Sequence, residues 1–127
     1  MTAEPRARGP RRPVHGVLLL DKPVGLSAQT AVSRAKGMLA AEKAGHTGTL
    51  DPLASGLLPV CFGAATKFAQ LQLDADKAYE ATLRLGVRTT TGDAEGDVVA
   101  VAPVDAVMLA PERLRALAQR FTGEIEQ

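Results

Sequence analysis

The sequence predicts an α+β fold, with a mixed, mainly antiparallel sheet and helices packed on it. Segments typical of strands and helices follow one another irregularly, and no internal repeat of about 20 to 50 residues is visible. The segment Lys77–Leu85 alternates apolar and polar residues, which is typical of a strand with one solvated face. Such strands belong to antiparallel sheets, because parallel sheets are usually covered on both faces. Both observations disfavour a doubly wound parallel sheet.

The composition is that of one soluble domain. The chain has 127 residues, a formal net charge of +1 and 46% hydrophobic residues. With one tyrosine, three phenylalanines and no tryptophan, its core must be aliphatic. The longest apolar run, Val17–Leu20, is far shorter than the roughly 20 residues of a membrane helix. We expect no membrane contact and, since the N-terminus lacks an apolar signal segment, a cytoplasmic location.

Residues 1–13 are predicted to form a basic, disordered N-terminal arm. They contain four arginines, one glutamate and three prolines, and they show no apolar periodicity. The folded part, residues 14–127, is therefore slightly acidic although the whole chain is slightly basic. The arm suits contact with the phosphates of a polyanion. A tail that only aids solubility has the same composition.

The first half of the folded part is predicted to alternate strands with short helices. Gly16–Asp21 is an apolar, strand-length run, and the following Lys-Pro-Val-Gly is typical of a turn. Ser27 is the expected N-cap of an amphipathic helix from 28 to about 40, with its apolar face on Ala31, Val32, Ala35, Met38 and Leu39. A second strand over Leu57–Phe62 and a short helix over Ala64–Leu73 follow.

The second half is predicted to begin with the alternating strand described above. A polar loop over Gly86–Asp97 and a strand over Val98–Val101 come next. A helix is expected over Pro111–Phe121, with Gly123 at the position of a C-cap glycine. The last residues, Glu124–Gln127, look like the opening of another strand, so we interpret the chain as incomplete.

The segment Gly45–Gly56, GHTGTLDPLASG, is the least ordinary part of the sequence. Its glycines and proline exclude a regular element over most of its length, which predicts a loop of fixed shape. Its single carboxylate, Asp51, precedes Pro52, and proline biases the preceding residue toward extended backbone. A carboxylate on a stiff turn suits a nucleophile or a general base. Asp-Pro pairs also shape turns that have no chemical role.

Other catalytic and metal motifs are missing from the sequence. No glycine-rich loop is followed by the Lys-Ser/Thr pair of a nucleotide-binding loop, and no G-x-S-x-G elbow is present. His15 and His46 lack the companions of a zinc site, so we expect no metal. Cys61 is the only cysteine, and its apolar neighbours predict a buried structural thiol.

Three blocks of the sequence closely resemble the bacterial tRNA pseudouridine synthases of the TruB family, which isomerise uridine 55 in the T loop of tRNA. The blocks are HGVLLLDKPVGLSAQTAV, AGHTGTLDPLASGLLPVCFGAATKF and DKAYEATLRLGVRTTTGDAEG, and the resemblance extends from His15 to Gln127. It implies the pseudouridine synthase fold, the T arm of tRNA as partner, and a monomer at full length. It also implies a redox-neutral isomerisation that needs no cofactor and no metal.

The resemblance assigns roles to five residues. Asp51 matches the family's essential carboxylate, which acts as nucleophile or as base. Tyr79 matches the tyrosine that stacks on the flipped uracil, although the residues alone suggest a core aromatic. His46 matches the histidine that supports the extruded base, although by itself it resembles an ordinary loop histidine. Lys22 matches a position that lines the active site, where an ammonium group can contact phosphate or fix the loop. The residues alone also fit an exposed turn lysine without a partner. Asp93 is carried over as a substrate-binding residue.

Two departures from the family limit these expectations. Thr90 stands where the family often has an acidic residue, so any role of that carboxylate is missing. The second half of the catalytic domain, with the arginine that pairs with the catalytic aspartate, and the C-terminal PUA domain are also not part of the chain. We therefore expect the chain alone to have little or no activity. Alternatives are a non-catalytic RNA-binding or tRNA-remodelling module, and an incomplete domain that self-associates through an open sheet edge.

Overall fold

The computed structural model describes residues 9–126 and divides into two compact units, one up to Ala78 and the other from Tyr79 onward. The described elements, in chain order, are β1 Gly16–Lys22, α1 Ala28–Met38, β2 Ala44–His46, β3 Gly56–Phe62, a 3₁₀ helix Gly63–Phe68, α2 Ala69–Leu73, β4 Val87–Thr89, β5 Val98–Val101 and α3 Pro111–Gln119. The α+β prediction is confirmed. All strand pairs between these elements are antiparallel. Within residues 9–126, no helix combines the length and the apolar character that crossing a membrane requires.

The first unit is built on a three-stranded sheet with the order β1-β3-β2. Leu18 of β1 lies opposite Val60 of β3, which in turn lies opposite His46 of β2. Directly opposed residues share a face of a sheet, so these three side chains form one row across it. Leu20 and Leu58 form the next row on the same face. This face carries the hydrophobic core.

Helix α1 covers that face with small side chains. Ala28, Ala31, Val32 and Ala35 are buried, and their size lets the helix approach the sheet closely. Ser27 caps the helix as predicted, since its side chain accepts a hydrogen bond from the Thr30 amide. The prediction that Met38 and Leu39 belong to the buried face of the helix is wrong. The helix ends at Met38, and Met38 is 87% exposed.

The end of β3 is fixed by a close approach of two backbone segments. Gly63 has a φ of +54°, and a Cβ there would lie 2.3 Å from His15 Nδ1 and 2.4 Å from the Val14 carbonyl oxygen. Only glycine fits this position. The Ala64 amide donates to His15 Nδ1 at 2.9 Å, which joins the start of β1 to the 3₁₀ helix. Cys61 is buried as predicted, and burial raises the pKa of its thiol.

The predicted disordered arm falls mainly on residues 1–8, which lie outside the described residues. Its last part is attached to the fold, contrary to the prediction. The Arg12 amide donates to the Ala40 carbonyl at 2.7 Å, and the Arg12 carbonyl accepts from the Glu42 amide at 3.0 Å. Backbone pairing of this kind has no signature in side-chain composition, which is why the sequence did not reveal it.

The predicted strand over Lys77–Leu85 does not form. Residues 76–84 have no regular structure, and Tyr79 and Leu83 are 72% and 83% exposed. Alternation of apolar and polar residues marks a strand only when a neighbouring strand pairs with its backbone and another layer covers its apolar face. Within residues 9–126, no strand pairs with this segment.

The second unit contains a hairpin and a helix. Val87–Thr89, predicted as part of a loop, is strand β4 and pairs with β5, with an irregularity between Arg88 and Thr89. Helix α3 is shorter than predicted and is capped by Arg120, so Gly123, with a φ of +101°, lies beyond the cap. Residues 124–126 form no strand, and Gln127 lies outside the described residues.

Two adjacent leucines of β3 provide a test of the core. Leu58 is 1% exposed, whereas Leu57, on the other face, is 64% exposed. We expect Leu58→Ala to lower the free energy of unfolding by about 2–5 kcal/mol, because it leaves a cavity under α1. Leu57→Ala should change it by less than about 0.5 kcal/mol. Urea denaturation of both variants checks this, and equal losses would contradict the assignment of the two faces.

Candidate active site

Asp51 lies on a tight turn in the loop between β2 and β3. The Asp51 carbonyl accepts the Ala54 amide at 3.0 Å, with Pro52 at the first central position that proline favours. The loop is fixed at its start by the Thr47 amide, which donates to the Pro59 carbonyl at 3.2 Å. The side chain of Asp51 is exposed. The predicted loop of fixed shape therefore presents its carboxylate to solvent from a constrained turn.

A second loop, residues 23–27 between β1 and α1, supports this turn. The Gly25 amide donates to the Pro52 carbonyl at 2.7 Å, immediately after Asp51. Gly25 has a φ of +86°, a conformation that favours glycine. The two loops thus form one unit, which we call the paired loops, residues 23–27 and 51–54.

Lys22, at the end of β1, supports the paired loops. It is fully buried at the end of β1, and its Nζ donates to the Pro23 carbonyl at 2.9 Å and to the Leu26 carbonyl at 2.6 Å. A buried ammonium group requires such partners, because desolvation without hydrogen bonds is very costly. Both partners belong to the loop whose Gly25 amide binds Pro52. The interpretation of Lys22 as an exposed turn lysine is therefore wrong, and its contacts are those of a residue that fixes the loop.

His46 lies on β2, on the face of the sheet that α1 covers. It is opposite Val60, whereas Lys22 is opposite Gly56, so the two side chains stand four residues apart along β3, or about 13 Å. Its Nδ1 atom is buried and has no hydrogen-bond partner among the described residues. A buried polar atom without a hydrogen bond destabilises the folded state by about 1–3 kcal/mol. The histidine is thus positioned by the sheet rather than by a loop hydrogen bond.

Tyr79 and Asp93 belong to the second unit. The exposed ring of Tyr79 excludes the interpretation as a core aromatic in this unit. The Asp93 Oδ1 accepts hydrogen bonds from the Thr91 hydroxyl and, at 2.9 Å, from the Glu95 amide. These bonds lower the pKa of Asp93, the Thr91 hydroxyl contributing most. Asp93 therefore shapes the turn between β4 and β5.

A cavity in the second unit contains none of the predicted site residues. It measures about 590 Å³ and lies between α3 and the segment that follows β5, with mainly apolar walls. Among residues 9–126, no group of three or more His, Cys, Asp or Glu side chains is arranged to hold a metal ion.

Sequence reasoning missed the connection between the paired loops. It identified a turn at Lys22–Gly25 and a loop around Asp51, but it gave no contact between them. The turn glycine Gly25 was a visible signal for a special backbone conformation. Its partner, the Pro52 carbonyl, is 27 residues away and carries no side-chain signal.

Comparison with known proteins places this geometry in context. Residues 36–127 match the family model described as TruB family pseudouridylate synthase (N terminal domain). The tRNA pseudouridine synthase B of Verminephrobacter eiseniae is 66% identical over 122 residues, which cover 96% of this chain and 37% of that protein. That of Burkholderia mallei is 64% identical over 126 residues, which cover 99% of this chain and 40% of that protein. The chain thus spans about two fifths of the length of these relatives.

Solved structures also match part of the chain. A crystal structure of a Cbf5-Nop10-Gar1 complex aligns with 50% identity and a TM-score of 0.43 over 44% of this chain and 17% of the matched chain. The structure of an H/ACA RNP bound to a substrate RNA containing 2′-deoxyuridine aligns with 49% identity and a TM-score of 0.44 over 45% of this chain and 18% of the matched chain.

The role of Lys22 can be tested by amide exchange. We expect Lys22→Met to accelerate exchange of the Gly25 amide at least about tenfold, because the variant loses two charge-assisted hydrogen bonds that hold residues 23–26. The β3 amides should stay protected. Lys43→Met is the matched control, because Lys43 is exposed and its contact with the Gly63 amide is made by its backbone carbonyl. Undiminished protection of Gly25 in Lys22→Met would show that the lysine does not hold the loop.

The turn at Asp93 should respond to acid. Because the folded pKa of Asp93 lies below its ordinary value of 3.8, its stabilising bonds are present above that pH and are lost as the pH falls through the folded pKa. We expect the Glu95 amide to lose protection in that acid range. Asp93→Asn keeps an acceptor oxygen but no longer titrates, so it should remove this pH dependence, whereas Asp97→Asn should keep it. NMR measures the protection of the Glu95 amide as a function of pH. An acid transition that persists in Asp93→Asn would show that the Asp93 carboxylate does not cause it.

Proposed function

The chain belongs to the TruB family of pseudouridylate synthases, and on this premise we propose that it acts in converting uridine 55 of the tRNA T loop to pseudouridine, with Asp51 as the reacting carboxylate. We also propose that the protein recognises the T arm of tRNA. The full-length protein is proposed to be monomeric and cytoplasmic. The observation that carries it is the exposed Asp51 carboxylate on a turn tied to the loop that Lys22 fixes.

The reaction is an isomerisation with balanced atoms. The N1–C1′ bond of uridine breaks, the uracil rotates, and a C5–C1′ bond forms. The proton on C5 is then lost, and N1 gains a proton. Asp51 takes part either by attacking the nucleoside covalently or by removing a proton, and both roles need an ionised carboxylate held in place before the substrate arrives.

The family resemblance supplies four further residues for binding the substrate. A uridine inside a folded loop must be extruded before it can react, and a flipped base is received by stacking and hydrogen bonding. Tyr79 offers an exposed ring for stacking. His46, by the family resemblance, supports the extruded base, and it is held on the sheet strand that precedes the Asp51 loop. Lys22 positions the paired loops, and Asp93 contributes to substrate binding through the hairpin turn that it shapes.

The Asp51 carboxylate can be tested in the longest natural protein that contains this chain. We expect Asp51→Asn to reduce tritium release from a T-arm hairpin labelled at uracil C5 by at least about a hundredfold, because the amide can neither attack nor accept the proton. Binding of the hairpin should be retained.

Asp74→Asn is the matched control, because Asp74 is an exposed carboxylate at the end of α2. It should release tritium at the unaltered rate. Undiminished release by Asp51→Asn would refute the catalytic role and favour a non-catalytic RNA-binding module. The 127-residue chain by itself should release little or no tritium.

A further inference from the structure

Basic side chains gather where α1 ends. Lys36 lies in the last turn of the helix, Lys43 follows it closely, and Arg11 and Arg12 are brought to the same place by contacts with residues 39–42. We call these four residues the α1 basic surface. Between residues 28 and 50 the only acidic residue is Glu42. The surface therefore carries a net positive charge although the folded part of the chain is slightly acidic.

The two arginines are fixed to the end of α1. Arg11 Nη1 donates to the Ala41 carbonyl at 3.2 Å, and Arg12 Nη2 donates to the Leu39 carbonyl at 3.3 Å. The backbone of Arg12 bonds to Ala40 and Glu42. Ala40 has a φ of +48°, an uncommon conformation for a residue other than glycine, and its carbonyl is held by the Arg12 amide. The basic segment is thus bound to the folded unit at a defined place.

These contacts use only part of the hydrogen-bonding capacity of the two arginines. A guanidinium group has five N–H donors in a planar fork, and each arginine gives one nitrogen to a carbonyl. Among residues 9–126, neither guanidinium donates to a carboxylate. The unused donors match the oxygens of a phosphate group, which arginine binds through paired hydrogen bonds. Arg6 and Arg8 of the preceding segment add further positive charge in the sequence.

The surface lies at the far end of β1 from the paired loops. Arg12 precedes the start of β1, whereas Lys22 ends it, and α1 runs back from the paired loops to the basic surface. A seven-residue strand is about 20 Å long. A phosphate held here is therefore well removed from a nucleotide at Asp51, so the surface suits a second region of a large folded RNA.

We propose that the α1 basic surface binds the phosphate backbone of tRNA at a distance of roughly 20 Å, the length of β1, from the paired loops that carry Asp51. The inference rests on the proposed function in that tRNA is the bound polyanion. It adds a second contact region, separate from the catalytic loops, that strengthens the binding of whole tRNA more than that of an isolated T-arm hairpin.

The test compares two double variants of the longest natural protein that contains this chain. Lys36→Gln/Lys43→Gln removes two charges of the surface and leaves the arginine contacts in place. Arg84→Gln/Arg115→Gln removes the same charge at exposed positions of the second unit. Equilibrium binding of whole tRNA is measured between about 50 and 200 mM salt, where each lost phosphate contact makes the slope of log K against log salt less steep by about 0.7–0.9.

We expect the surface variant to reduce the slope by about 1–2 and to weaken binding at low salt about tenfold, with the control variant unchanged. Its effect on the T-arm hairpin should be smaller. Unaltered slopes, equal effects of the two variants, or equal effects on hairpin and whole tRNA would each overturn the proposal. Tritium release by the unsubstituted protein is measured in parallel. Binding of tRNA without tritium release would refute the proposed function but not the proposed role of the α1 basic surface.

Discussion

The candidate site depends on one buried charge. Lys22 is fully buried, and its ammonium group is satisfied by two carbonyls of the loop that follows it. Burial of this charge is tolerated only while both carbonyls stay in place, because an ammonium group without partners in a protein interior is strongly destabilising. The conformation of residues 23–26 is therefore set by an electrostatic requirement at the end of β1. Through Gly25 and Pro52 the same requirement reaches the turn that carries Asp51.

This arrangement suits a carboxylate that has to be positioned before its substrate binds. Small displacements of a reacting group cost large factors in rate, so a turn held from two sides is a better support than a free loop. The sheet supplies the rigid base, since β3 is central and pairs with both neighbours. The α1 basic surface is built in a related way, because arginine side chains donate to carbonyls of the segment that follows the helix and are thereby held in place.

The sequence predicted those features whose causes are local. The Ser27 cap, the buried Cys61 and the strand Val98–Val101 each follow from a few neighbouring residues. The strand expected over Lys77–Leu85 needs a partner that its own pattern does not specify. The attachment of Arg12 and the bond between Gly25 and Pro52 are backbone contacts across about 30 residues, and such contacts leave no trace in side-chain periodicity. The catalytic assignment of Asp51 came from family resemblance, since an Asp-Pro turn alone is more typical of a structural loop.

We expect Lys22 to act on the reaction by positioning the Asp51 turn, and separate measurements of binding and of reaction rate distinguish this role from a phosphate contact. In the longest natural protein that contains this chain, Lys22→Met should lower the single-turnover rate of isomerisation at saturating tRNA, while the dissociation constant and its salt dependence stay unchanged. A lysine that contacts phosphate gives the opposite pattern, with weaker binding, a shallower salt slope and an unaltered rate at saturation. That second pattern would show that Lys22 binds phosphate and does not position the turn.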